Sequence, residues 1–439
     1  MIKQKIRLGV VCLARKTFDF NSAQEIFYKI KNNLREIENI DYTLIDGLLI
    51  EVKDAKQAAK FLLSKNIDGI IVISGTFHLG HLVLELDKVI KKPILLWGLN
   101  ELPYNGGKIR LNSICGVNLD ASNLYKSGNR QYHSVLSDAI DENWIDAIRV
   151  KVALENAHLG LAGFRASGFF NLSINESECF NQTGILLDHY ELEELFKIEV
   201  PKDEVGEKEN KIREIFYISG ITKIQVQKVA ELSVKIKTFV DKNNLTALAI
   251  RCWPEFAASF GISPCAAMSI LQSEGYILGC EGDVEGTISM LAHRAMGAET
   301  PFLADLSQVD LKEDFALMWH CGVAPCNLWD GKCIRSLDTY FAGGKGVTAD
   351  FVMKEGEVSI LRFDSAQNEY RVFLQKGVGI PMEKILKGTY LKVRFENNIN
   401  EVLNKVIYNG IAHHVSLAYG NYIKPMEILA KMKGWKVIR

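Results

Sequence analysis

The 439-residue chain carries 52 basic and 53 acidic side chains, for a formal net charge of −1, and is 48% hydrophobic and 24% charged. That is the composition of an ordinary globular protein with ample core material, and it supplies no basic footprint for nucleic acid. No apolar run reaches the roughly 20 residues of a membrane-spanning helix, and the opening Met-Ile-Lys-Gln-Lys-Ile-Arg lacks a signal peptide's apolar region, so a cytoplasmic protein is expected.

In chain order, strands are predicted at 6–13, 42–49, 67–74 and 94–97, alternating with helices at 22–37, 54–65 and 82–90. Near-continuous apolar strands separated by helices predict a parallel, doubly wound sheet. The first strand ends Leu13-Ala14-Arg15-Lys16 with no glycine-rich fingerprint, which argues against a dinucleotide cofactor. Arg15, Lys16, Ser74, Thr76, His78 and His81 fall at the strand ends. There they either line a polar ligand site or form the ordinary polar rim of such a sheet.

The stretch 112–130 is polar and turn-rich, and 137–161 reads as one long helix. Alternating helices and short apolar strands then predict a second α/β domain over 151–345. Within it, 200–211 is a charged, solvated segment, and a helix at 225–244 presents Val229, Leu232, Ile236 and Val240 on one face. Beyond the glycine-rich turn at 343–346 come short β-rich runs at 349–353, 358–363, 370–375 and 390–395. They predict a small, barrel-like C-terminal domain, closed by a helix at 424–433. Three domains follow: 1–150, 151–345 and 346–439. The nine cysteines are odd in number and sit mostly in apolar runs (Cys12, Cys115, Cys252, Cys280), as reduced thiols do. Cys321, Cys326 and Cys333 lack the paired spacing of a structural zinc site.

Two features carry chemistry. A predicted strand at 248–252 is followed by Trp253, Pro254 and Glu255, and an apolar run at 276–280 delivers Glu281 and Asp283 on a glycine-containing turn before a helix at 284–296. Carboxylates just past the carboxyl ends of strands suit a hard divalent cation, although Asp283 fits a helix N-cap equally well. The second feature is the pair His413-His414 in an otherwise apolar stretch, joined by His320 after the apolar run 315–319. Together these make a mixed oxygen–nitrogen ligand set.

In three places the chain resembles the L-fucose isomerase and L-arabinose isomerase superfamily. These are Glu281-Gly282-Asp283-Val284-Glu285-Gly286, Phe302-Leu303-Ala304-Asp305-Leu306 and Gly410-Ile411-Ala412-His413-His414. The resemblance implies a metal-dependent aldose–ketose isomerase of monosaccharides working through a cis-enediol(ate), with Mn²⁺ or another divalent cation. Carried over residue by residue, Glu255 and Asp283 become catalytic carboxylates and metal ligands, with His414 as the nitrogen ligand. Arg15, His78, Trp253, His320 and His413 become substrate contacts. A homo-oligomer, often a hexamer in the family, is implied as well. The competing readings are another enediolate reaction (epimerisation or a carbon–carbon bond change) and a non-catalytic sugar-binding homologue, for which a metal set has no use.

Overall fold

The computed structural model describes residues 3–218, 220–341 and 344–439, so Gly343 of the expected glycine-rich turn lies outside them. The chain divides into two compact units. One runs up to Val152 and takes in Lys424–Trp435, and the other comprises Ala153–Ile423 with Lys436–Arg439. Among the described residues, no helix is long and apolar enough to cross a membrane.

In the N-terminal unit the strands are β1 (Ile6–Leu13), β2 (Ile40–Leu44), β3 (Gly69–Ser74), β4 (Ile94–Gly98) and β5 (Tyr132–Leu136). All pair in parallel, in the order β2-β1-β3-β4-β5. This is the doubly wound arrangement that the apolar runs predict. Every residue of β3 and β4 is buried, as befits strands covered on both faces. The helices are α1 (Phe20–Leu34), α2 (Val52–Ser64), α3 (His81–Ile90), α4 (Ser113–Lys126) and α5 (Glu142–Glu155). The α4 helix corrects the turn-rich reading of 112–130. Gly116, Val117, Asp120 and Leu124 recur at helical spacing and are buried, and tertiary burial outweighs polar composition there. The expected helix at 137–161 is also shorter, because Leu159 and Leu161 belong to a strand.

That strand, β6 (His158–Ala162), opens the second unit. With β7 (Leu186–Tyr190), β8 (Ala247–Ile250) and β9 (Leu278–Gly279) it forms a four-stranded parallel sheet, ordered β7-β6-β8-β9. Helix α6 (Lys223–Lys242) begins on a reciprocal capping box between Thr222 and Gln225, which satisfies otherwise unpaired N–H groups. Helix α7 (Val284–Ala295) is buried along nearly its whole length.

The other sheet of this unit has nine strands. They are β10 (Phe302–Asp310), β11 (Phe315–His320), β12 (Ser336–Phe341), β13 (Gly346–Val352), β14 (Gly356–Ala366), β15 (Glu369–Ile380), β16 (Thr389–Phe395), β17 (His414–Tyr419) and β18 (Lys436–Ile438). The run β16-β11-β10-β17-β14-β15 closes on itself because β15 also pairs with β16, giving a six-stranded antiparallel barrel with no free edge inside the ring. Strands from both expected segments, 151–345 and 346–439, enter this one sheet. Helix α7 packs on the barrel through two polar clasps. Ser289 Oγ accepts the Phe363 N–H at 2.8 Å, and His293 Nδ1 meets Ser416 Oγ at 2.9 Å.

Phe363 of β14 is fully buried. Replacing it with Ala removes its ring contact with Tyr370, centroids 6.0 Å apart, and leaves a cavity, so Phe363→Ala is expected to lower stability by about 3–5 kcal/mol, read as a fall in the urea midpoint. A loss below about 1 kcal/mol would contradict close packing at this strand.

Candidate active site

Strand β9 leads straight into a tight turn. Glu281 has φ of +62° and Gly282 +72°. The first is unusual for a residue with a side chain. The second needs glycine doubly, since a Cβ there would collide with the Phe164 carbonyl oxygen. The turn is pinned by three backbone bonds: Ala166 N–H to Glu281 O at 2.9 Å, Gly282 N–H to Ile250 O at 3.0 Å and Asp283 N–H to Cys280 O at 3.1 Å. Asp283 then caps α7, its Oδ1 accepting the Gly286 N–H at 2.9 Å. The N-cap reading of Asp283 therefore holds.

The other acid comes from the barrel. In the antiparallel pairing of β10 with β17, Asp305 stands directly opposite His414, and directly opposed residues share a face. His414 Nδ1 lies 3.0 Å from Asp283 Oδ2, so Nδ1 carries the proton that this carboxylate accepts. The Nε2 lone pair is thereby turned the other way, toward Glu281 Oε2 and Asp305 Oδ1, each at 3.4 Å. Among the described residues neither His414 Nε2 nor Asp305 Oδ1 has a hydrogen-bond partner, and both are buried. A histidine whose far nitrogen is fixed by a carboxylate is the usual arrangement of a metal-ligating imidazole.

Behind Asp283 stands Arg362 of β14, itself fully buried. Its Nη1 donates to Asp283 Oδ2 and, at 3.3 Å, to His414 O, while Nη2 lies 3.7 Å from Glu285 Oε2. Burial on its own would raise the Asp283 carboxyl, but the charge of Arg362 and the His414 hydrogen bond hold it well below the usual range. Burial likewise opposes ionisation of Glu281, and the His413 hydrogen bond with nearby His414 and His320 brings it below its ordinary value. Burial presses His414 down, and the Asp283 hydrogen bond and charge lift it above. The guanidinium of Arg362 pairs with Asp283, and a bound cation would offset the negative charge of Glu281 and Asp305.

His320 ends β11, its ring stacked on His414 at 5.5 Å. Its Nδ1 accepts the Cys321 N–H at 2.9 Å, which places the ring proton on Nε2. That Nε2 is buried without a partner among the described residues, so His320 presents a donor rather than a lone pair. Burial lowers its pKa. Among the described residues two groups of ligand atoms lie within 4.8 Å of one another: Glu281, His413 and His414, and Asp305, His320 and His414. They share His414. His413 serves Glu281, with Nε2 at 3.4 Å from Oε2 and Nδ1 at 3.2 Å from Asn171 Nδ2.

The other expected site residues fall as follows. Glu255 is outside both groups, held bidentately by Arg251 at 2.9 and 3.1 Å and about a third exposed. Asp283 is close by, with its oxygens engaged by Gly286, Arg362 and His414. Trp253 is half-buried, edge-on to Phe169 at 5.9 Å, and Phe169 is in turn edge-on to His413 at 5.2 Å. Arg15 and His78 belong to the N-terminal unit. Arg15 is exposed past the carboxyl end of β1. His78 is fully buried between Asp120 at 3.0 Å and Thr76 O at 2.8 Å, which corrects its reading as a substrate contact, since both ring nitrogens are taken. Sequence reasoning counted Glu281 among the carboxylates suited to a cation but left it out of the ligand set, and it gave Asp305 no role. Asp305 carried a signal, an acid inside the apolar run Phe302–Leu306.

A family model described as the N-terminal domain of fucose/sulfoquinovose isomerase matches residues 9–145. The chain is thus similar to the fucose isomerase-like sugar isomerases, a class of intramolecular oxidoreductases. Its relatives include the sulfoquinovose isomerase of Priestia megaterium (strain ATCC 12872 / QMB1551), 29% identical over 435 residues and 96% of each chain. That of Alkalicoccus urumqiensis is 24% identical over 84% of this chain and 86% of that one. Among solved structures, a glucose-galactose binding protein from Geobacillus stearothermophilus aligns over 67% of this chain and 92% of that one, at 12% identity. Its TM-score of 0.18 is too low to carry an argument.

Glu285 supplies a test of the buried charge balance. Burial pushes its carboxyl up to about 8 despite nearby Arg362, whose closer bond goes to Asp283. A carboxyl raised in the folded state gives stability that is fully present below its unfolded value of about 4.3 and is lost as pH rises through about 8. The wild type should therefore lose stability relative to Glu285→Gln, by up to about 1.4 kcal/mol per pH unit between about pH 5 and 8. Denaturant titrations across that window measure it, and parallel curves for the two proteins would refute it.

Proposed function

We propose that the protein is a metal-dependent aldose–ketose isomerase whose divalent cation is held by Glu281, Asp305 and His414 Nε2. The observation that carries this reading is the orientation of His414. Its Nδ1 is fixed by Asp283, and its unpartnered Nε2 faces two carboxylates at equal distance. Two oxygens and one imidazole nitrogen suit Mn²⁺ or a similar ion. Such an ion would act as a Lewis acid, polarising the sugar carbonyl and offsetting the negative charge of a cis-enediolate.

The chain's own groups divide the proton transfers between them. Aldose–ketose exchange removes a proton from the carbon beside the carbonyl and returns it to the neighbouring carbon, while a hydroxyl proton moves the opposite way. Glu281 and Asp305 stand on different elements, the turn after β9 and strand β10, and supply the two carboxylates for these tasks. His320 offers its Nε2–H to a substrate oxygen on which charge develops. Asp283 and Arg362 keep His414 in its ligating tautomer. The half-buried aromatics Trp253 and Phe169, with His413, wall the approach to Glu281. This replaces the assignment of Glu255 and Asp283 as the catalytic carboxylates.

The substrate that the relatives' names support is sulfoquinovose, a sugar whose sulfonate is anionic. Arg15, exposed at the end of β1, has the fork geometry that such groups favour. The family resemblance further supports a homo-oligomer, hexameric in the family's pattern.

Metal-stripped protein is expected to interconvert sulfoquinovose and its ketose only when Mn²⁺ is restored. Mn²⁺ binding with no turnover on sulfoquinovose or neutral aldoses would favour another enediolate reaction, and failure to bind Mn²⁺ would overturn the reading. Among variants, Asp305→Asn and Glu281→Gln should each lower turnover by at least about 10²-fold and impair Mn²⁺ binding. Asp283→Asn should weaken Mn²⁺ about 10–100-fold, whereas Glu255→Gln should leave it unchanged. Full activity in Asp305→Asn with loss in Glu255→Gln would restore the first assignment. For His320→Gln, kcat should fall while Mn²⁺ affinity stays within a few-fold, as titration calorimetry would show. A matching loss of metal affinity would make His320 a ligand instead of a donor.

A further inference from the structure

Two cysteines adjoin the proposed metal site and take no part in the chemistry assigned to it. Cys280 directly follows β9 and precedes Glu281, and Cys252 lies two residues past the end of β8. These strands are paired neighbours, with Ala249 opposite Gly279. The two sulfurs are 3.1 Å apart. Cys280 is fully buried and Cys252 is 5% exposed, so Cys252 is the sulfur nearer solvent. A disulfide bond is about 2.05 Å long, and closing this one therefore asks for roughly 1 Å of movement. A second pair, Cys265 and Cys321, is further apart at 4.0 Å.

We propose that Cys252 and Cys280 form a dithiol modification site that a peroxide-class oxidant converts to a disulfide, and that closing the bond displaces Glu281 and weakens metal binding. The second half rests on the metal reading above; the first does not. In the first step the Cys252 thiolate attacks one peroxide oxygen, the O–O bond breaks, and the leaving hydroxide takes a proton to become water. Cys252 is left as a sulfenic acid. Cys280 then attacks the Cys252 sulfur, passing its proton to the departing sulfenic hydroxyl, so that the S–S bond forms and a second water leaves. Two thiols have lost two electrons and two protons, and one peroxide has become two waters.

The consequence for Glu281 follows from the turn. Its three backbone bonds, to Ala166, Ile250 and within the turn itself, leave little slack between Cys280 and the carboxylate one residue on. The left-handed φ of Glu281 restricts it further. Metal–ligand distances tolerate only about 0.2 Å of deviation, well below the movement that closing the disulfide requires.

The test uses the full-length protein, metal-stripped and treated with a slight excess of hydrogen peroxide. Free thiols are then blocked with N-ethylmaleimide and the digest is mapped by mass spectrometry. The expected result is a Cys252–Cys280 linked peptide that dithiothreitol cleaves. Mn²⁺ affinity should be lower by at least about tenfold in the oxidised protein and restored on reduction. Cys252→Ser should form no such link and keep its Mn²⁺ affinity through peroxide treatment. Should that variant fail to fold, the map of the unsubstituted protein decides alone. Linkage of Cys265 to Cys321 instead, or oxidation confined to exposed Cys115, would overturn the site. A Cys252–Cys280 link with unchanged Mn²⁺ affinity would overturn its coupling to Glu281. If the reduced protein binds no Mn²⁺, the metal reading fails while the peptide map still judges the dithiol.

Discussion

The site depends on a chain of three side chains, Arg362 to Asp283 to His414, buried in the larger unit. A guanidinium and a carboxylate withdrawn from water incur a large desolvation cost, and their mutual attraction recovers it only when the remaining hydrogen-bonding positions are filled. Here they are filled on the carboxylate, while Arg362 Nε and Nη2 are buried with no hydrogen-bond partner among the described residues. Asp283 accepts from Gly286, Arg362 and His414, and Arg362 also reaches the His414 carbonyl. A buried ion pair of this kind is weak evidence for stability. Its value lies in direction, because it settles which nitrogen of His414 carries a proton and therefore which one is free.

The remaining parts are brought to that nitrogen by register. The pairing of β10 with β17 sets Asp305 opposite His414, and a one-residue slip would send one of them to the other face of the sheet. Barrel closure and the clasps of α7 to Phe363 and Ser416 guard against such a slip. The strained turn after β9 brings Glu281 from the parallel sheet. Two architectures therefore contribute one carboxylate each, and the bond between Asp283 and His414 joins them.

Much of the fold was legible in the sequence. The N-terminal strands announce themselves as apolar runs, and the barrel strands 358–363, 370–375 and 390–395 are each found within longer observed strands. Helix α4 was missed because its buried face is largely small or polar, with Ser113, Gly116 and Asp120 beside Val117 and Leu124. The candidate site was legible in part. The segment at 280–286 and His414 stood out, but the choice among Glu255, Glu281, Asp283 and Asp305 did not. Local reasoning favours the acid nearest a helix start, and that acid is the cap. What separates Asp283 from Asp305 is a partner 79 residues away, Arg362, which no local pattern reports. His78 misled for the same reason, its partner Asp120 lying 42 residues on.

The segment Lys424–Trp435 belongs with the N-terminal unit, although the chain has by then passed through the four-stranded sheet and most of the barrel. During synthesis the first unit to emerge is therefore among the last to be completed. Its last segment, Lys424–Trp435, is made some three hundred residues after strands β1 to β5. Folding from one end to the other would leave that unit open in the interval, with apolar surface exposed to association. A fragment cut after residue 152 would share this defect permanently, so the N-terminal unit cannot be isolated by truncation at its apparent boundary without losing a piece of itself.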